Sequence, residues 1–218
     1  MNKKQKLFKI FRSNKGMTFL EMVVILSIFG TISGIVLFNY REFGSNVEMQ
    51  NISNDIALRV VEAQRSAISG RLGGETSSID YRPTYGVRFE YGGSYPDGRF
   101  IYFIDRVSSR NFFFDIPTAG CPGGECISES LFKEGYGIAR ICFDRGTVCS
   151  LNSADVLFAR PYPNAIIRVN PEIGDDLAVT EYDDIQIEIK SPFNLTKTII
   201  VWSTGQVEIR SGTIEDIF

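Results

Sequence analysis

One carboxylate, Glu21, lies inside an apolar run, five residues after Gly16. The chemistry such a carboxylate suits is charge pairing. An ionised side chain at the centre of a membrane helix costs at least ~2.5 kcal/mol, so a Glu kept there needs a partner. Cleavage after Gly16 creates one: the new α-ammonium of Met17, carried by a neighbouring copy in an assembly.

The flanks of this pair set its surroundings. Residues 1–16 carry Lys3, Lys4, Lys6, Lys9, Arg12 and Lys15 and no acid. That bias predicts a cytoplasmic N-terminus for a membrane segment. Met17 to Phe38 is 22 residues long with Glu21 as its only charge. At ~1.5 Å per residue it spans roughly 33 Å, enough for the hydrocarbon core of a bilayer. A secretory signal places its small-residue cleavage site after the apolar run. Here the glycine precedes the run, so cutting removes the charges and leaves the anchor.

Lys15, Gly16, Thr18, Phe19, Leu20 and Glu21, followed by the aliphatic run to Phe38, resemble the type IV prepilin family of pilins and type II secretion pseudopilins. Met17 stands where that family usually has Phe. The resemblance implies cleavage between Gly16 and Met17 and N-methylation of Met17 by a prepilin peptidase. It implies assembly through Thr18, Phe19, Leu20 and Glu21, with no cofactor. The implied partners are other pilin or pseudopilin subunits, an inner-membrane assembly platform and membrane lipid. The subunit would wait in the inner membrane, N-terminus cytoplasmic and domain outside, before joining a periplasmic or extracellular filament. Gly30 and Gly34 form a G-x-x-x-G, which suits close helix packing between subunits and equally suits ordinary membrane-helix glycines.

Composition narrows the rest. The 218 residues predict one anchor and one globular domain. Removing the leader leaves 17 basic against 26 acidic residues, a net charge of −9. Such a surface argues against nucleic acid as a partner, because phosphate binding needs clustered Lys and Arg. The chain has no His, the commonest general base and metal ligand. No triad, phosphate loop or G-x-S-x-G accompanies its Ser and Cys residues, so the expectation is a protein that is not an enzyme.

The elements that would position the N-terminal residues follow from periodicity. Met49, Ile52, Ile56, Val60, Ala63 and Ala67 recur every three or four residues between polar positions, which predicts an amphipathic helix. No proline interrupts residues 17–69, so one long helix is expected, closed by Gly70 and the Gly73–Gly74 pair. Its expected parts are a leader (1–16), a membrane half (17–39) and an amphipathic half (40–70), followed by a β-rich domain (71–218).

Strands are predicted at Tyr85 to Glu90, Phe100 to Ile104, Ile138 to Phe143, Asp155 to Phe158, Ala165 to Val169, Ile185 to Ile189, Thr196 to Trp202 and Gln206 to Arg210. Residues 92–98 are read as the long loop of a hairpin. Ile185, Ile187 and Ile189 alternate with Gln186, Glu188 and Lys190, which predicts a sheet with one wet face. The fold class is therefore α+β, a long helix packed on an antiparallel sheet or sandwich. The order of these pieces looks like that of the H-type minor pseudopilins and related minor pilins, with the pilin fold. That resemblance implies a minor subunit at or near a filament tip. A tip adhesin, a DNA-uptake pilin and an anchored domain that never polymerises are the alternatives, and the acidic C-terminal GTIEDIF argues against DNA.

Cys121, Cys126, Cys142 and Cys149 would lie outside the cytoplasm, where disulfides form. Of three connectivities, Cys121–Cys126 and Cys142–Cys149 close the shortest loops. A four-thiolate zinc site competes, but its spacing is met only approximately. Glu172, Asp175, Asp176, Glu181, Asp183 and Asp184 read as a solvated acidic loop rather than a calcium site. Phe112 to Phe114 read as core or packing surface.

Overall fold

The computed structural model describes residues 17–70, 83–106, 112, 114–115, 121–149, 152–169 and 182–217. Gly16 and the leader, Gly73, Gly74, Phe113, Glu172, Asp175, Asp176 and Glu181 lie outside the described residues. The chain divides into two compact units, residues 1–43 and 44–218. Helix α1 (Phe19–Ser69) contributes to both.

In the first unit, Phe19–Leu37 is long and apolar enough to cross a membrane, and none of it is buried. Its hydroxyls do not need water. Ser27 donates to the Val24 carbonyl and Thr31 to the Ile28 carbonyl, both at 2.8 Å. These two hydroxyls are thereby satisfied by their own helix, as an apolar solvent requires.

In the second unit the helical stripe turns inward. Met49, Ile56, Val60, Ala63 and Ala67 are buried, and Ile52 packs beside them. The small Ala63 and Ala67 let the last turns approach the sheets closely. Ser53 fits the same stripe by returning its hydroxyl to the Met49 carbonyl at 2.6 Å. Gly70 ends the helix as expected, with φ +66° and its N–H on the Ala67 carbonyl at 3.1 Å. That left-handed cap favours glycine.

Among the described residues nine strands follow: β1 (Thr84–Gly92), β2 (Tyr95–Asp105), β3 (Cys126–Leu131), β4 (Gly137–Phe143), β5 (Ser153–Phe158), β6 (Ala165–Val169), β7 (Asp184–Lys190), β8 (Thr196–Trp202) and β9 (Val207–Ser211). A one-turn helix, α2 (Ile214–Ile217), comes last. The five-stranded sheet has the order β3-β2-β1-β5-β6, the four-stranded sheet β4-β7-β8-β9, and every pairing is antiparallel. The fold is α+β. One core joins the α1 stripe to Tyr85, Val87, Phe89 and Tyr102 of the first sheet and to Ile185, Ile187, Ile199 and Val201 of the second.

Three expectations need correction. The β1–β2 connection is a tight turn rather than a long loop: Gly92 pairs with Tyr95, and Gly92 and Gly93 take φ of +88° and +56°. Glycine alone enters that region without strain, so β2 starts at Tyr95 and not at Phe100. Strand β3 was not expected; its Ser and Glu residues carry little β signal, and it forms by pairing along β2.

The third correction concerns the wet face. Gln186 is fully buried and Glu188 nearly so. The turn after β4 and helix α2 cover them. Gly146 N–H donates to Gln186 Oε1, Ile214 N–H to Glu188 Oε2 and Arg145 N–H to Asp184 Oδ1, each at 3.0 Å. Buried polar atoms are kept because backbone donors satisfy them.

The stripe generates a direct test. Ile56→Ala should cost about 2–5 kcal/mol in chemical denaturation of the full chain. Leu58→Ala, on the exposed side of the same turn, should stay within about 0.5 kcal/mol. Equal losses would contradict the assigned face.

Candidate functional site

Met17, Thr18, Phe19, Leu20 and Glu21 are all exposed at the start of α1. Thr18 caps the helix: its Oγ1 accepts the Glu21 N–H at 3.3 Å, and its carbonyl accepts the Met22 N–H at 3.1 Å. Thr18 to Glu21 thus carries the T-x-x-E signature of a capping box, and Glu21 lies where a carboxylate favours the positive helix end. That signature was legible in the sequence, and the half of it that is formed is the bond from the Glu21 backbone N–H to Thr18. Among the described residues no cation pairs with Glu21. A Cβ at Gly30 or Gly34 would meet nothing within 4 Å, so the notch they form is open in the single chain.

Cys121 is joined to Cys126 and Cys142 to Cys149. The first bridge closes a loop onto β3. The second ties the turn that covers Gln186 back to β4. A four-thiolate zinc site would need four thiolates, and paired sulfurs supply none. Of the acidic stretch, Asp183 and Asp184 are described. Asp144 Oδ1 accepts the Asp183 N–H at 3.0 Å, and Asp184 accepts from Arg145 N–H and from the Gln186 amide. Burial pushes the Asp184 carboxyl up, against the pull of that Arg145 N–H. Phe114 belongs to a second core with Ile101, Phe103, Cys126 and Leu157, and Phe112 lies under the Arg168 guanidinium at 5.7 Å.

The charged row behind the first sheet was not foreseen. Alternation along β1, β2, β3, β5 and β6 sends Arg88, Glu90, Arg99, Glu129, Asp155 and Arg168 to the face opposite the main core. Cross-strand register brings them together. Arg99 bonds Glu90 at 2.9 Å and Glu129 at 2.7 Å; Arg88 bonds Asp155 at 3.3 Å. Arg168 stands opposite Asp155 on β6. Three buried carboxylates in this region each hold one backbone N–H of a single crossing segment. Asp105 accepts from Phe112 at 3.0 Å, Asp155 from Phe114 at 3.2 Å and Glu125 from Asp115 at 2.8 Å. These groups therefore tie a strap over the second core. A single-strand reading cannot see them, because each partner is set by register between strands.

Comparison with family models, with curated proteins and with solved structures finds no match.

Asp155 is the most perturbed group of the row. Complete burial raises its carboxyl to about 6, and the Arg88 guanidinium and Phe114 N–H pull it only part of the way back. Between the ordinary value near 3.8 and about 6, the folded chain holds a proton that the unfolded chain has released. The stability from this group is full below the lower value and is lost as pH rises through the upper one. A carboxyl-carbon NMR titration should place the Asp155 midpoint near 6; a midpoint at or below the ordinary value would contradict this assignment.

Proposed function

We propose that the chain is a membrane-stored filament subunit of the type IV prepilin kind, a minor pilin or pseudopilin by the order of its elements. A prepilin peptidase cuts after Gly16 and methylates Met17. The subunit rests in the inner membrane with its β-rich unit outside. It then enters a pilus or secretion filament through the assembly platform. The observation that carries this reading is the pairing of one helix, apolar and nowhere buried over Phe19–Leu37, with a single carboxylate at its start.

The mechanism is charge neutralisation. Lipid can cover Phe19–Leu37 in the stored state, and neighbouring helices can cover it in the filament. Glu21 and a neighbour's Met17 ammonium meet in a low-dielectric bundle, where the two charges attract strongly and are costly apart. Gly30 and Gly34 offer a notch for a neighbouring helix, since nothing in the chain itself fills it. Thr18, Phe19 and Leu20 complete the contact. The role is structural, and the peptidase acts on this chain as its substrate.

The Thr18 cap beside Glu21 makes the test sharper. Glu21→Gln keeps a T-x-x-Q capping box but removes the charge. Breaking a buried pair costs about 3–5 kcal/mol, which corresponds to a loss of at least about a hundredfold in incorporation. Both Glu21→Gln and Glu21→Ala should insert normally into the membrane and be missing from sheared filaments. Normal incorporation of Glu21→Gln would refute the charge-pairing mechanism.

A further inference from the structure

The β1–β2 turn closes one end of the charged face around an open cavity of about 450 Å³. Glu90, Tyr95, Arg99, Asn152 and Phe114 line it, together with the backbone of the Gly92–Gly93 turn. A Cβ at Gly93 would meet nothing within 4 Å, so that stretch of backbone is open to a ligand. The volume lies in the range of small-molecule sites, about 300–1,000 Å³.

The hydrogen-bonding capacity left unused decides the ligand class. Glu90 spends Oε2 on Arg99, at 3.1 and 2.9 Å, and faces Arg88 with the same atom at 3.8 Å. Its Oε1 remains free to accept. Arg99 also holds Glu129, and Arg88 holds Asp155 and Ser153. Both guanidinium groups therefore already have carboxylate partners. Among the described residues, the side chains of Ser94 and Asn152 make no hydrogen bond within the protein. The cavity thus offers a carboxylate oxygen, a hydroxyl and a complete amide.

A small anion brings only acceptors and would confront Glu90 Oε1; both guanidinium groups already carry carboxylate partners, and the one N–H left over, Arg88 Nε, is buried. A small cation brings only donors and would confront Arg88 and Arg99. A ligand whose groups both donate and accept meets neither objection. Arg99 covers one face of the Tyr95 ring at 3.7 Å, and the half-exposed ring keeps its other side for an apolar C–H face. We infer that this cavity binds a neutral saccharide, held by Glu90 and Asn152 against Tyr95. The inference uses only residues of the second unit and stands apart from the reading of the N-terminal helix.

The test uses the full ¹⁵N-labelled chain in lipid nanodiscs, because sugar-headed detergents would compete. Lactose, maltose and N-acetylglucosamine are titrated separately, with acetate and phosphate as controls. At least one sugar should shift the amides of residues 90–95 and 152–153 and saturate in the millimolar range. Asn152→Ala removes an exposed side chain that bonds nothing else. It should weaken that binding about 3- to 10-fold and leave the rest of the spectrum unchanged. The inference is overturned if none of the three sugars shifts these amides. It is also overturned if acetate or phosphate shifts them equally, or if Asn152→Ala binds as well as the parent chain.

Discussion

The β-rich unit depends on one packing constraint: the stripe of α1 from Met49 to Ala67 must be covered by two sheets at once. A helix with a single apolar face needs one partner layer. Here the inward faces of both sheets converge on it, so helix and sheets share a core. Neither sheet is closed, and each needs the other and the helix to bury Phe89, Phe143 and Ile187. The outward faces then need cover of their own. Phe112, Phe114 and Asp115, held by buried carboxylates, and the Cys121–Cys126 loop supply it on one side. The Cys142–Cys149 turn and α2 supply it on the other.

That layering explains which parts of the fold were legible. Periodicity within one segment is local, and it located α1, its glycine end and the interiors of eight strands. The α1 stripe was legible because each of its buried residues is small or aliphatic and the register never slips. The outer layers were not legible. Gln186 and Glu188 look like solvent-facing residues until Gly146 and Ile214 are known to sit above them. Strand β3 has too little apolar content to declare itself and depends on β2 for its register. The tight β1–β2 turn was hidden by Pro96 and Gly98, which suggested a loop where the strand has already begun.

The candidate site divides in the same way. The N-terminal candidates from Gly16 to Glu21 are contiguous, so a single stretch of sequence was enough to nominate them. The row from Glu129 to Arg168 is assembled from five strands, and no linear pattern marks it. The two regions also differ in how charge is stabilised. Behind the first sheet every named carboxylate meets an arginine or a backbone N–H inside the same chain. Glu21 has a helix cap but, among the described residues, no counter-ion. A charge that the chain completes for itself serves stability. A charge left at the mouth of an exposed apolar helix is suited to a second molecule.

The central claim is that cleavage creates the partner of Glu21. Intact-mass measurement with N-terminal sequencing, on protein taken from its native membrane, tests it most directly. The account predicts a chain that begins at Met17 and carries an N-methyl group. A chain that keeps residues 1–16 beside an active prepilin peptidase would contradict it and leave a static anchor bearing an outward domain.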